Sequence, residues 1–172
     1  LTPDKHYVGV AWYQKKVTIP SDWKGERILL FLERPHIETT VWVNTKEIGM
    51  QNSLCVPHVY DLTSAVTSGK PCRITIRVDN RIKEINVGPD SHSITDQTQG
   101  NWNGIVGKIE LQTTPKVYFD DIQVYPDLSH GKALVRMNVK SSSSAKGEIT
   151  LSAESFNTDT RHNVLPVQQT FR

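Results

Sequence analysis

The chain has 172 residues, 37% of them hydrophobic and 22% charged, and a formal net charge of +2. That length holds one β-domain of ordinary size and a smaller second unit, each able to bury a core. The small charge excess, with Lys and Arg scattered and no basic stripe, argues against nucleic acid and against a membrane surface as partners, and no apolar run approaches the ~20 residues of a spanning helix.

In chain order the pattern is strand after strand. Trp12-Tyr-Gln-Lys-Lys-Val-Thr-Ile-Pro20 alternates, placing Tyr13, Val17 and Ile19 on one face and Gln14, Lys16 and Thr18 on the other. Arg27-Ile-Leu-Leu-Phe-Leu-Glu33 is apolar at successive positions, as in a strand buried on both faces. Thr39-Thr-Val-Trp-Val-Asn44 and Cys72-Arg-Ile-Thr-Ile-Arg-Val78 follow, with turn residues between them. Residues 60–66 could make one helical turn, and no longer helical period occurs. Trp12, Trp23 and Trp42 fall within or beside strands and read as core or inter-domain packing residues, not as sugar platforms. Cys72 is in phase with Ile74, Ile76 and Val78 and reads as a small core residue. Cys55 lies in a loop-like stretch, and both cysteines are expected as free thiols.

A long connection, Asn80 to His92, leads towards Asp96-Gln-Thr-Gln-Gly-Asn-Trp-Asn-Gly104 and the alternating run that ends at Leu111. Long connections in compact sandwiches often carry function; Arg81, Asn86, Asp90 and His92 line either a functional rim or a solvated excursion. Asn101, Trp102 and Asn103 combine a flat apolar ring with amides that both donate and accept, which is what a sugar requires. The alternative is a glycine-rich loop whose tryptophan plugs the end of a sandwich. Six histidines lie far apart with no ligand spacing, so neither a metal nor another cofactor is expected.

A boundary falls near Thr113-Thr-Pro115, giving domains 1–114 and 115–172. Val117 to Tyr125 starts a new alternation, and Asp120-Asp121 in its middle suggests a bulge. Ala133, Val135, Met137 and Val139 alternate next; Ser141 to Gly147 reads as a hairpin tip; Ile149, Leu151 and Ala153 resume the pattern. An immunoglobulin-like sandwich needs about 100 residues, so the second domain is incomplete. In such a half-sandwich either a partner covers Val135, Met137, Ile149 and Leu151, which leaves a homo-oligomer open, or the region is poorly ordered. The fold class is all-β, a jelly-roll sandwich followed by a partial immunoglobulin-like one.

Six segments, in order, then resemble glycoside hydrolase family 2. They are Gly9 to Pro20 (G-x-x-W-Y-R-R-x-F-x-I/V-P in the family), Trp23 to Arg27, Leu30 to Glu33, Thr40 to Asn44 with Ile48-Gly49, Ile76-Arg-Val-Asp-Asn80, and Gly104 to Leu111. The resemblance implies a jelly-roll sugar-binding domain and an immunoglobulin-like domain preceding a (β/α)₈ barrel. In that family the barrel's two glutamates cleave β-glycosides with retention, which needs carboxyl groups about 5 Å apart. No barrel is present here, so this chain is expected to be catalytically inactive, and Glu26, Glu33, Glu38, Glu47, Glu84, Glu110, Glu148 and Glu154 read as solvated or structural.

The leading expectation is therefore a fragment of a β-galactosidase-type enzyme whose loop 96–103 helps form the barrel's carbohydrate pocket through Asp96, Thr98, Asn101, Trp102 and Asn103. A free-standing carbohydrate-binding module and a purely structural or adhesive sandwich are the alternatives. Some members use an aspartate six residues before the G-I glycine to reach the sugar or a bound cation. Gap-free counting from Gly104 gives Thr98, with Asp96 two residues upstream, so either could face the substrate. Thr45 stands where the family's hairpin has glycine, and Gly107 where it has arginine. The chain starts at Leu1 without methionine or leader and reads as an excerpt whose signal peptide has been removed; a periplasmic or secreted site fits without being fixed.

Overall fold

The computed structural model describes residues 7–54, 56–81, 83, 103–141, 144–156 and 161–171, with backbone alone over 153–156 and 161–171. The chain divides into two compact units, Leu1–Pro115 and Lys116–Arg172. In the first, strands β1 (Val10–Thr18), β2 (Arg27–His36), β3 (Glu38–Val43), β4 (Lys46–Asn52), β5 (His58–Asp61), β6 (Pro71–Asp79) and β7 (Gly104–Thr114) are joined by turns and one 3₁₀ turn, Ser21–Trp23. They build two antiparallel sheets of order β1-β6-β3-β4 and β5-β2-β7. The all-β sandwich expected from the alternation is what forms.

Period-two burial explains the packing. Along β6, Cys72, Ile74, Ile76 and Val78 are buried while Arg73 is exposed and Thr75 and Arg77 are half-buried, so alternate residues face the opposing sheet. They join Val41 and Val43 of β3, Ile28, Leu30 and Leu32 of β2, and Ile19, Tyr60 and Leu62 in one core. The β2 run was read as buried on both faces; Leu29 on its other face is buried as well, and Phe31 is half-buried. Cys72 is a buried free thiol, its pKa raised by burial; Cys55 lies outside the described residues.

Of the two packing roles read for Trp12, the core role is not met. It is not a core residue: it is 60% exposed, on the outer face of edge strand β1, with its ring 5.6 Å from that of Trp42. Alternation locates the inner face, and β1 uses Tyr13 and Val17 for it. Trp42, between inward Val41 and Val43, is half-buried, and Trp23 packs against the core. Residues 60–66 hold the end of β5 followed by a turn closed by Ala65 and Val66 N–H groups on the Leu62 carbonyl. At the β3–β4 turn, Asn44 takes a left-handed conformation (φ 54°), which asparagine tolerates. Its side-chain oxygen accepts from the Arg73 N–H at 3.0 Å, and its own N–H donates to the Arg73 carbonyl.

A polar triad crosses the core. Thr39 Oγ1 lies 2.6 Å from both His58 Nδ1 and Tyr60 Oη, Tyr60 donates to the Thr39 carbonyl at 2.9 Å, and His58 Nε2 faces the Ser53 carbonyl at 3.2 Å. Nε2–H donating to Ser53 leaves Nδ1 to accept from the Thr39 hydroxyl, so the ring is neutral. Burial holds the His58 pKa below its ordinary value of 6.5, outweighing the Ser53 bond.

The second unit holds two antiparallel pairs, β8 (Val117–Asp127) with β9 (Lys132–Ser141), and β10 (Gly147–Phe156) with β11 (Arg161–Phe171). The bulge expected at the paired aspartates lies between Phe119 and Asp121. The segment 141–147 is not a hairpin tip, because β9 and β10 belong to different sheets. Val135, Met137, Ile149 and Leu151 are half-buried.

Two outcomes follow. His58 takes up its proton at lower pH in the folded state than in the unfolded chain, so stability is complete above about pH 6.5 and falls as pH drops below it, by at most about 1.4 kcal/mol per pH unit. Urea midpoints between pH 7 and 5 should show that slope, and His58→Gln should flatten it; the depressed carboxylates Glu38, Asp61 and Asp79 act only nearer pH 4. At Gly107, φ is +87° and a Cβ would collide with the Glu33 carboxylate, which accepts the Lys108 N–H at 2.8 Å. Gly107→Ala should cost about 1–3 kcal/mol in the same denaturation experiment.

Candidate functional site

The segment to which the sequence assigns chemistry is the connection from β6 to β7, and its root is a charge cluster. Inward Val78 places Arg77 and Asp79 on the outer face of β6, and the register sets Glu38 of β3 opposite Asp79. Asp79 has no exposed surface. Its carboxylate receives Arg81 through Nε (2.9 Å) and Nη2 (2.7 Å), Arg77 Nη2 (2.9 Å) and Lys83 Nζ (2.8 Å). Glu38 accepts from Arg77 Nη1 at 2.8 Å and Lys83 Nζ at 3.1 Å.

The electrostatics follow from those contacts. The forked Arg81 guanidinium, with Lys83 and the Arg81 N–H, holds the Asp79 carboxyl far below the usual carboxylate range against the opposing effect of burial. For Glu38, burial pushes the pKa up, and the bonds from Arg77 and Lys83 together push it further down. Both groups stay ionised and saturated with cations. Neither can act as a proton donor near neutral pH, so the cluster is a clamp.

A second tie closes the root. The Tyr7 carbonyl accepts the side-chain amides of both Asn80 and Asn103, each at 2.8 Å, and Asn80 Oδ1 accepts the Gly9 N–H at 2.7 Å. The two flanks of the connection therefore meet at one backbone oxygen. Gly104, next in line, is buried at φ +96°, and a side chain there would strike the Tyr13 hydroxyl, so glycine is required.

Of the residues expected at a sugar, Asp96, Thr98, Asn101 and Trp102 lie outside the described residues, as do Asn86, Asp90 and His92. Asn103 is described, and its amide nitrogen is committed to Tyr7. Arg81, read as lining either a rim or a solvated excursion, is bound to Asp79. Sequence reading missed the clamp, although Arg77 and Asp79 at i and i+2 on one strand face were a signal for it. Among the described residues, no three of His, Cys, Asp and Glu converge as a metal site would require.

Removing Asp79 would leave Arg77, Arg81 and Lys83 gathered without their shared counter-ion. Asp79→Ala should destabilise the first unit by about 2–3 kcal/mol, less than for a fully buried pair because Arg81 and Lys83 can be re-solvated. Hydrogen exchange across 79–83 and 103–105 should rise with it, while a variant at exposed Lys15 should change neither.

Residues 2–115 match the family model for the glycosyl hydrolases family 2 sugar binding domain. Over 170 residues the chain is 27% identical to the β-glucuronidase of Homo sapiens, covering 86% of this chain and 26% of that protein. Against the β-glucuronidase of Felis catus the values are 26% over 151 residues, 76% and 23%. The chain thus spans about a quarter of the length of these relatives. In fold it is similar to Bacteroides uniformis β-glucuronidase, with TM-score 0.72, 21% identity, and coverage of 96% of this chain and 20% of that one. It is likewise similar to a putative β-galactosidase from Bacteroides fragilis, with TM-score 0.72, 19% identity, and coverage of 99% and 26%. The six ordered segments, the two-sheet sandwich and the match over 2–115 have one explanation: this chain belongs to glycoside hydrolase family 2 and carries its sugar-binding domain.

Proposed function

We propose that residues 1–172 are a non-catalytic part of a retaining β-glycosidase. In this reading the connection between β6 and β7 carries Asp96, Thr98, Asn101, Trp102 and Asn103 to the rim of a carbohydrate pocket in a (β/α)₈ barrel supplied by the same protein. The observation that carries it is the double anchoring of that connection, at the Asp79 clamp and at the Tyr7 carbonyl. A rigid root is what a pocket-lining loop needs in order to hold contacts to a fraction of an ångström. Residues 1–114 would then be the jelly roll and 115–172 the start of an immunoglobulin-like sandwich, completed by further polypeptide or by a second copy.

Chemistry supports the division of labour. Retention needs two free carboxyl groups flanking one bond, and the one close pair of carboxylates described above, Glu38 and Asp79, is saturated by cations. For the sugar, the curated relatives reported above are β-glucuronidases, so a β-glucuronide displaces the β-galactoside read from the sequence. Trp102 would stack on the sugar ring, Asn101 would bond its hydroxyls, and Asp96 or Thr98 would take the polar contact nearest the reacting centre.

The test compares the longer protein with residues 1–172 on 4-nitrophenyl β-D-glucuronide and the matching galactoside. The expected outcome is hydrolysis of the glucuronide by the longer protein alone. Trp102→Ala there should lower kcat/KM about tenfold, the value of one aromatic contact, and whichever of Asp96→Asn and Thr98→Val lowers it identifies the facing residue. Hydrolysis by residues 1–172, or unchanged kinetics in all three variants, would rule the reading out.

A further inference from the structure

Two tryptophans share the outer face of the β1-β6-β3-β4 sheet. Strand register sets their surroundings. Trp12 of β1 stands beside Arg77 of β6, and Trp42 of β3 stands beside Thr75 of β6, so the two rings meet diagonally across β6. Their centroids are 5.6 Å apart and their planes are inclined by 34°. Trp12 is 60% exposed and Trp42 half-buried, which makes one angled aromatic surface open to solvent. Tryptophan is usually covered, so a ring this bare on a regular strand asks for an occupant.

The neighbours of the rings are polar first and cationic beyond. Gln14 of β1 stands opposite Thr75, and its amide donates to the Thr75 hydroxyl at 2.9 Å. That bond leaves the carbonyl oxygen and second N–H of an exposed amide for a ligand. One step further along the same face, about 7 Å away, Lys16 of β1 stands opposite Arg73 of β6. Both are exposed, and neither meets a carboxylate among the described residues. Arg77 differs, being held by Glu38 and Asp79. The acid Glu47 stands on the β4 side of Trp42, away from the two cations.

Flat rings with an amide beside them suit a pyranose, whose C–H face stacks and whose hydroxyls both donate and accept. Two cations without counter-ions add an attraction for negative charge, and the planar fork of Arg73 matches a carboxylate. A protein partner fits less well. The core of a protein interface is depleted of lysine, and covering Lys16 and Arg73 unpaired would cost their hydration. We propose that this face binds an anionic polysaccharide, a chain of pyranose rings that carry carboxylates. One ring rests on Trp12 and Trp42 with its hydroxyls at Gln14, and the carboxylate of a neighbouring ring reaches Lys16 and Arg73. The sequence assigns both tryptophans to packing; the open ring of Trp12 and its polar neighbours reassign them. Such a surface holds a polymer without reacting with it, and it needs neither the loop 96–103 nor a catalytic barrel.

The experiment titrates residues 1–172 by calorimetry with a hyaluronan octasaccharide, in which every second ring carries a carboxylate, and with neutral cellohexaose. The acidic chain should bind at least about tenfold more tightly than the neutral one, and less tightly as salt rises from about 20 to about 150 mM. Trp12→Ala should weaken binding about tenfold, and Lys16→Gln with Arg73→Gln should remove the preference for the acidic chain. All three side chains are exposed, so unchanged urea midpoints should accompany these losses. Absent binding, or equal binding of the two oligosaccharides, would overturn the proposal. Binding lost in Trp102→Ala and kept in Trp12→Ala would place the glycan on the loop and overturn it too. So would binding by 1–172 that disappears in the longer protein, where other polypeptide would cover the face, or that is displaced by self-association at rising concentration. Hydrolysis of 4-nitrophenyl β-D-glucuronide by the longer protein reports on the glycosidase reading alone, so either reading can fail without the other.

Discussion

The first unit is organised around the carboxylate of Asp79. Its backbone pairs with Val10 on one side and Glu38 on the other, and its carbonyl accepts the Ile37 N–H, so three strands are aligned at this residue. Its side chain, without exposed surface, gathers Arg77, Arg81 and Lys83. A buried ionised group is tolerated only when partners replace its lost water, and here the partners are supplied by the chain as it leaves the sheet. Burying the charge and aiming the connection are therefore one event. Strand register determines where Asp79 stands, and Asp79 determines how the chain departs.

What could be read from the sequence divides along physical lines. Where a strand has neighbours on both sides and a sheet against one face, alternation is reliable: Cys72, Ile74, Ile76 and Val78 point inward as the pattern requires. At edges the same pattern misleads. A core role was one reading of Trp12 because tryptophan is usually covered, yet it stands on the outer face of an edge strand, and inward Tyr13 is itself left partly bare. Hairpin reading failed at 141–147 because turn-rich composition marks a reversal without saying which strands pair across it. At the β3–β4 turn the left-handed residue is Asn44, and the departure from the family pattern at Thr45 did not disclose that.

The sequence pointed to the β6–β7 connection but not to what holds its root. Amides, a tryptophan and glycines marked the connection. Its clamp depends on Glu38 and Asp79, 41 positions apart in sequence and adjacent only through strand pairing. The Tyr7 carbonyl could not be foreseen at all, because a backbone oxygen carries no residue signature. The polar triad Thr39–His58–Tyr60 was missed for a related reason: His58 follows Pro57 in a turn-like stretch and gives no sign that the chain carries it into the core.

Both flanks of the β6–β7 connection converging on one carbonyl also bears on how this family changes. A closed excursion exchanges length for little: doubling a flexible loop costs only about 0.6 kcal/mol, and a two-residue change in a connection this long costs far less. The frame beneath it, tied at Asn80 and Asn103, does not register the change. Inserting or deleting two residues would shift which side chain stands at a given position of the connection, and Asp96 and Thr98 stand two residues apart. Variation in what the loop presents is thereby uncoupled from the stability of the domain that presents it, so selection can alter one while leaving the other alone.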